Sequence, residues 1–205
     1  MEKIAKIDPE SADDAVQGLL RSVQERMGMV PNSWRVMAHS PAVLKMALLS
    51  EEVLSDGFLP PRVREQIALA VSALNGSRYC LAAHSALAGI EGLSEEEIVD
   101  ARNGTSPDRR IEAALVFARE LIANRGALEK DRIDQMRRVG WQDGEIVEII
   151  FQATFTSLFN YLNRAAKTDC DFPEPAPPLC FDEAKKWLPN AGAGKTSSRR
   201  KRSRK

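Results

Sequence analysis

The sequence predicts an all-α protein, and three observations support this prediction. Apolar residues recur at helical spacing along most of the chain before Cys170, for example Ile111, Leu115, Ala118 and Ile122. No segment alternates apolar and polar residues for long enough to form a strand. Only 6% of the residues are aromatic, and the apolar residues are mostly the Ala, Leu, Val and Ile of helical proteins. We therefore expect a compact bundle of about eight helices.

Prolines, glycines and capping residues divide the chain into these helices. Ser11 is expected to cap the first helix, and Ser94 forms a capping box with Glu97. Pro61 begins the fourth helix, and Asn75-Gly76 forms a turn after it. The segments expected to be helical, some of them short, are 11–27, 34–38, 42–54, 62–74, 77–90, 94 onward, 108–124, 129–139 and 143–167.

Charge and composition separate a helical body from a C-terminal extension. The net charge is zero, but residues 191–205 hold seven of the 29 basic residues and no acid. The rest therefore has 22 basic and 29 acidic residues, a net charge of −7. An acidic body argues against a whole-domain nucleic-acid binder. We expect a helical domain over 1–172, a Pro-rich extension over 173–190, and a disordered basic tail over 191–205. If the tail has a function, we expect weak, non-specific contact with nucleic acid.

Cysteine usage and hydropathy indicate the compartment. Cys80, Cys170 and Cys180 cannot all pair within the chain, and none lies in a C-x-x-C motif, which favours a reducing compartment. The N-terminus has no apolar core of a signal peptide. The longest uncharged run, 149–163, is too short to cross a bilayer. We expect a cytoplasmic protein without membrane contact.

Four side chains on one predicted helical hairpin form the candidate site. His84 lies four residues after Cys80 and Ser77 lies three before it, so helical spacing places all three on one face. Antiparallel pairing across the turn sets Glu65, on the preceding helix, at about the height of His84. A carboxylate–imidazole pair near a thiol can take its proton, and a helix N-terminus favours the thiolate of Cys80. The pattern predicts an activated cysteine.

Less specific interpretations of the same residues stay open. A cysteine or histidine on an Ala-rich helix is often an inert core residue, Ser77 can be only a helix cap, and Glu65 can only begin a helix. Cys80, His84 and Glu65 also form a possible zinc ligand set, although no second His or Cys lies near them in sequence. Residues 194–196 match the end of the phosphate-loop motif. The glycine that begins the motif is missing, however, and no predicted strand precedes the segment. We predict no metal and no cofactor.

Several motifs follow one another in a characteristic order. The hairpin carries REQIALAVS over 64–72 and NGSRYC over 75–80, followed by His84. GMVPN over 28–32, Ser40-Pro41, Gly140-Trp141, FN at 159–160 and NR at 163–164 complete the set. Over roughly residues 20–172 this pattern resembles the alkylhydroperoxidase D-like branch of the carboxymuconolactone decarboxylase family, most of all its uncharacterised peroxidase-related group.

The resemblance implies an all-helical fold assembled into oligomers. Its active members reduce peroxides with a C-x-x-C pair, a glutamate on the preceding helix, and a histidine four residues after the second cysteine. By position, the peroxidatic cysteine falls on Cys80, the histidine on His84 and the glutamate on Glu65. The first cysteine falls on Ser77, which cannot form the usual disulfide, and Tyr79 stands where some members have a second histidine.

These observations predict a thiol-dependent antioxidant protein that reduces hydroperoxides. Cys80 is the expected nucleophile, Glu65 the base, His84 the relay, and Ser77 a hydrogen-bond donor or cap. The resolving thiol is Cys170, Cys180, another subunit or a small thiol, and the reductant is unknown. Helices 62–74 and 77–90 are apolar on more faces than a small bundle covers, so a homo-oligomer is expected.

Two other functions stay open. One is a decarboxylase or lactone-type enzyme that uses Glu65 and His84 as acid and base. The other is a redox sensor or scaffold whose Cys80 is oxidised once.

Overall fold

The computed structural model describes residues 2–175, and this part of the chain folds into α-helices without a β-strand. All-α architecture is therefore confirmed. Nine helices occur there, one for each of the nine segments expected to be helical. Cys180, the rest of the Pro-rich extension from residue 176 and the basic tail lie outside the described residues. The helices are α1 (Asp14–Met27), α2 (Asn32–Met37), α3 (Pro41–Ser55), α4 (Pro61–Leu74), α5 (Arg78–Ile90), α6 (Glu95–Asn103), α7 (Arg109–Ala123), α8 (Arg132–Arg138) and α9 (Asp143–Ala166).

Capping side chains fix where two of these helices begin. The capping box of Ser94 and Glu97 forms as predicted at the start of α6. The predicted cap of α1 is wrong, since Asp13 rather than Ser11 accepts a hydrogen bond from the backbone of Val16, at 2.9 Å. Ser11 instead bonds to the carbonyl of Asp8 in the preceding turn.

Helix α4 forms the centre of the bundle. Its apolar side chains point in nearly every direction and are buried by α5, α6, α7 and α9. The apolar surfaces of α4 and α5 were the reason for expecting an oligomer. Other helices of the same chain largely cover these surfaces, so that reason is wrong. No helix in residues 2–175 has the length and apolar character needed to span a bilayer.

The turn between α4 and α5 sets the register of the hairpin. Gly76 has a φ of +64°, a left-handed conformation that glycine adopts at little cost. The amide of Ser77 then bonds to the carbonyl of Ser72, at 3.0 Å. The chain reverses in a few residues, so the start of α4 lies beside the second turn of α5.

Two apolar clusters surround the site. One unites α4, α7 and α9, and the other unites α1, α2 and α3 with Phe155 of α9. A cavity of about 380 Å³ lies between them, lined from α1, α2, α3, α4, α5 and α9. The long helix α9 contributes to both clusters and therefore supplies one wall of the cavity.

Candidate active site

Cys80 lies in the first turn of α5, as predicted, with its side chain directed toward α9. The residue is 3% exposed and lines the cavity. The side-chain amide of Asn163 donates a hydrogen bond to its sulfur over 3.4 Å. Ser77 stands at the N-cap position but its side chain caps nothing: it is 1% exposed and its Oγ makes no well-formed hydrogen bond among the described residues. The hydroxyl lies close enough to Cys80 to lower the pKa of the thiol, so it can donate to the sulfur when the sulfur carries charge.

Glu65 and His84 form the predicted pair. His84 Nδ1 lies 2.8 Å from Glu65 Oε2, and the two side chains are 20% and 18% exposed. Burial acts to lower the pKa of His84, but the charge of Glu65, the hydrogen bond to it and the charge of Glu51 raise that pKa on balance. The contact with Glu65 therefore favours the protonated form of the His84 ring, and Nε2 is the ring nitrogen left for a molecule in the cavity.

The pair and the thiol are neighbours rather than a bonded triad. No hydrogen bond within residues 2–175 joins Cys80 to His84 or Glu65. His84 lies one turn further along the same helix, where Cβ atoms are about 5–6 Å apart. The space between them belongs to the cavity that all three residues line. Proton transfer between the thiol and the pair therefore needs a bound molecule as a bridge.

Burial determines the ionisation of Cys80. Removal from water raises the pKa of the thiol, and the polar side chains of Ser77, Asn163 and Asn160 lower it only in part. The expectation that the helix N-terminus favours the thiolate is thus corrected. Desolvation is the stronger effect at a residue that is 97% covered, so the resting side chain is a thiol.

A series of hydrogen bonds between amide and hydroxyl side chains leads to the Cys80 thiol. Asn75 donates to Ser157 at 3.0 Å and to Asn160 at 2.9 Å, and Asn160 donates to Ser72 at 3.0 Å. Asn163 continues the row toward Cys80. Sequence reasoning noted Asn160 and Asn163 only as part of a motif, because nothing local shows that they face a residue more than 80 positions earlier.

The cavity walls combine aromatic rings with a second carboxylate. Glu51 of α3 lines the cavity, and burial together with the charge of Glu65 raises its pKa. The sequence offered no signal for Glu51, since α3 is otherwise an ordinary amphipathic helix. Five aromatic side chains line the same space, namely Trp34, Tyr79, Phe155, Phe159 and Phe172. The site therefore suits a ligand with an apolar body.

Residues 168–174 follow α9 and are called the strap here. The strap reaches the cavity through the side chain of Phe172. Asp171 accepts hydrogen bonds from the Tyr79 hydroxyl at 2.8 Å and from the backbone of Asn32 at 2.8 Å. The Phe172 ring packs edge-on against Tyr79, with centroids 5.8 Å apart. Tyr79, which stands where some family members have a histidine, thus anchors the strap. Cys170 lies within the strap and is exposed.

Metal binding was one alternative for Cys80, His84 and Glu65. Within the described part of the chain, no three His, Cys, Asp or Glu side chains are grouped closely enough to hold a metal ion. His84 directs Nδ1 to Glu65, and Cys80 receives a hydrogen bond from Asn163. The arrangement is that of proton-transfer groups beside a thiol.

Residues 41–124 match the profile of the carboxymuconolactone decarboxylase family. No curated protein matches the chain. An uncharacterized peroxidase-related protein from Silicibacter sp. TM1040 has a similar structure, with a TM-score of 0.73 at 23% identity over 87% of this chain and 97% of its own. An uncharacterized peroxidase-related protein with the alkylhydroperoxidase AhpD core, from Ralstonia eutropha JMP134, gives 0.74 at 22% identity over 83% and 94%.

The fold is also similar to that of a protein with a different named activity. A variant of the debrominase Bmp8, solved in complex with 2,3,4-tribromopyrrole, gives a TM-score of 0.71 at 19% identity over 83% of this chain and 92% of its own. At such identities the likeness establishes the shared fold. The family resemblance predicted from the sequence is confirmed, and the activity is a separate question.

Proposed function

We propose that this chain, whose residues 41–124 match the model of the carboxymuconolactone decarboxylase family, is a thiol-dependent antioxidant protein that reduces hydroperoxides at Cys80. The single observation that carries this proposal is a buried thiol which shares a partly enclosed cavity with a bonded Glu65–His84 pair. A peroxide bound there meets a nucleophile and a proton donor at once. Peroxidase-related names among proteins of the same fold agree with it.

The reaction oxidises sulfur and reduces the peroxide. The Cys80 thiol passes its proton to the Glu65 carboxylate through the bound peroxide or one water molecule. The thiolate attacks the terminal peroxide oxygen, so that an S–O bond forms and the O–O bond breaks. The protonated His84 donates a proton to the departing alkoxide, and the proton held by Glu65 crosses to His84. The products are a sulfenic acid on Cys80 and an alcohol.

Polar groups beside the sulfur stabilise the charge that forms in this step. Asn163 already donates a hydrogen bond to the sulfur, and the Oγ of Ser77 supplies a second donor. Hydrogen bonds to a charged group are stronger than those to a neutral one. Ser77 is thus proposed as a donor to the thiolate or sulfenate, in place of the disulfide partner that a cysteine provides.

Turnover assays test the proposal. With a dithiol donor, we expect Cys80→Ser to lose the consumption of cumene hydroperoxide. With a small thiol donor, we expect Cys170→Ser to retain it. If Cys80→Ser retains full turnover, the decarboxylase or lactone interpretation with Glu65 and His84 is favoured. If Cys80 is oxidised once and never reduced by any thiol donor, the protein is a sensor.

The aromatic wall of the cavity favours one second candidate, reductive dehalogenation. A thiolate that attacks a peroxide oxygen can also attack a bromine atom on a flat electron-rich ring, so that an S–Br bond forms as the C–Br bond breaks. Protonated His84 supplies a proton to the ring carbon, and a thiol then attacks the sulfur, forming a disulfide and releasing bromide. Trp34, Phe155 and Phe159 offer flat surfaces for such a ring. Release of bromide from 2,3,4-tribromopyrrole in the presence of a thiol distinguishes this activity from peroxide reduction.

A further inference from the structure

We propose that Cys170 of the strap resolves oxidised Cys80, closing an intramolecular disulfide between the strap and α5. This inference rests on the proposed peroxide chemistry and names the thiol that completes it. Cys80 and Cys170 are the two cysteines of residues 2–175, and both are free thiols. They lie 90 residues apart in the sequence, so only the tertiary structure brings them to one site.

The start of the strap is tied to the residue that touches Cys80. The backbone amide of Thr168 donates to the carbonyl of Asn163 at 3.1 Å. The side chain of the same Asn163 donates to the Cys80 sulfur at 3.4 Å. Cys170 follows Thr168 by two residues. The strap therefore departs from α9 at the level of the thiol.

The middle of the strap is tied to the neighbour of Cys80. Tyr79 donates to Asp171, which directly follows Cys170, over 2.8 Å. Phe172, the next residue, lines the cavity that Cys80 also lines. Contacts on both sides of Cys170 thus hold it at the edge of the site. Burial is the main cause that raises the pKa of Cys170, and the charges of Asp171 and Glu174 add to this rise.

The strap can bring the sulfurs together without unfolding the bundle. A disulfide requires Cα atoms about 4.4–6.8 Å apart, and the strap has no helical backbone bonds to hold it rigid. Its anchors are mainly side-chain hydrogen bonds, such as Tyr79 to Asp171 and Arg78 to Glu174 at 2.6 Å. The Cys170 sulfur makes only a contact of 3.6 Å to the carbonyl of Phe172. Inward rotation of Cys170 breaks no core contact.

The resolving step balances with the sulfenic acid as its oxidant. The sulfur of Cys170 attacks the sulfur of the Cys80 sulfenic acid, forming the S–S bond and breaking the S–O bond. The hydroxyl leaves as water with the proton of Cys170. A reducing thiol then attacks the accessible sulfur, that of Cys170, because Cys80 is buried. The mixed disulfide with the reductant therefore forms on Cys170, and Cys80 leaves as the thiol.

Non-reducing mass spectrometry of the full chain after one equivalent of cumene hydroperoxide tests this assignment. In the wild type we expect the mass to fall by two hydrogens and a digest to contain a Cys80–Cys170 cross-linked peptide. In Cys170→Ser we expect an added oxygen that dimedone traps on Cys80. Cys180→Ser is the matched control and is expected to behave as the wild type does. Asp171→Ala, which frees the strap from Tyr79, is expected to slow disulfide formation several-fold relative to sulfenic acid formation.

The outcomes separate the inference from the proposed function. A sulfenic acid on Cys80 that persists equally in the wild type and in Cys170→Ser overturns the role of Cys170 while leaving the peroxide chemistry intact. A disulfide from Cys80 to Cys180, or between two chains, overturns it as well. Absence of any oxidation at Cys80 in both proteins overturns the peroxide chemistry, and the resolving role with it.

Discussion

Opposing effects act on the sulfur of Cys80. Burial disfavours the thiolate, while Ser77, Asn163 and Asn160 supply polar contacts that favour it. The balance keeps the resting residue protonated and therefore slow toward general alkylating reagents. Under the proposed function, a hydroperoxide differs from such reagents because it binds in the cavity and brings a group that can bridge the thiol to Glu65. The proposal therefore assigns selectivity for peroxide to the cavity rather than to an exposed, acidic thiol.

Removal of the Asn163 donor is predicted to slow the oxidation of Cys80. Asn163→Leu replaces the amide by an apolar side chain of similar size and so loses the hydrogen bond to sulfur. A hydrogen bond to a charged group contributes about 1.5–3 kcal/mol, so we expect the oxidation rate to fall about tenfold or more. Stopped-flow measurement with cumene hydroperoxide gives the rate, and the thermal midpoint shows whether the variant is folded. An unchanged rate in a folded variant contradicts a role for this amide.

The Glu65–His84 pair is predicted to show a specific pH dependence. The folded pKa of His84 lies above its ordinary value of 6.5. The stabilisation from this group is therefore fully present below pH 6.5 and is lost as the pH rises through the raised pKa. In Glu65→Gln the main raising partner is gone, and burial lowers the pKa of His84.

Titration and unfolding experiments check both parts of this prediction. The NMR titration of the His84 ring proton should move to lower pH in Glu65→Gln, with the ring proton of His39 as internal reference. The difference in unfolding free energy between wild type and variant should be larger below pH 6.5 than well above the raised pKa. A constant difference at all pH values would show that the pair makes no ionic contribution.

The hairpin of α4 and α5 is the element that sequence reasoning described best. Apolar periodicity, the Asn75-Gly76 turn and the helical rise sufficed to place Glu65 beside His84, and the structure joins them at 2.8 Å. The periodicity, the turn and the rise each depend only on residues that are close in the sequence. The contact of Asn163 with Cys80 depends on how α9 crosses the hairpin, and the sign of the Cys80 pKa shift depends on how completely other helices cover it. Neither follows from local pattern.

The start of α1 provides a test at the scale of one element. Asp13→Ala removes the side chain that bonds to the backbone of Val16, and loss of a cap of this type costs about 1 kcal/mol of stability. Ser11→Ala is the matched control, since Ser11 lies outside the helix and is expected to change stability little. Denaturant unfolding of both variants measures the effect. Equal destabilisation by the two substitutions would show that the helix begins earlier than the structure indicates.

Two rows of apolar side chains, one on α3 and one on α9, are exposed in this chain and are together called the apolar face here. Its members are Val43, Met46, Leu49 and Val53 of α3 and Val147, Phe151, Leu158 and Tyr161 of α9. Apolar groups of this number are commonly covered by another subunit. The homo-oligomer predicted from the sequence therefore remains a prediction, now assigned to this face rather than to α4 and α5.

Light scattering with two matched variants tests this face. Phe151→Asp, at its centre, is expected to lower the molar mass to that of the monomer at micromolar concentration. Ile90→Asp changes an even more exposed residue at the end of α5, away from the face, and should leave the mass unchanged. A monomeric wild type contradicts the prediction, as does dissociation by Ile90→Asp alone.

The most direct test of the account is to locate the first oxidised sulfur. The wild-type protein and the Cys170→Ser variant, in which the sulfenic acid is not resolved, are each treated with less than one equivalent of cumene hydroperoxide in the presence of excess dimedone, and the labelled cysteine is identified by peptide mass spectrometry. Of the cysteines in residues 2–175, Cys80 is the one that lines the cavity with Glu65 and His84. We therefore expect dimedone on Cys80, most of all in Cys170→Ser, and a lower yield when Glu65→Gln is added. Labelling of Cys170 or Cys180 first, or an equal yield in Glu65→Gln, would contradict it.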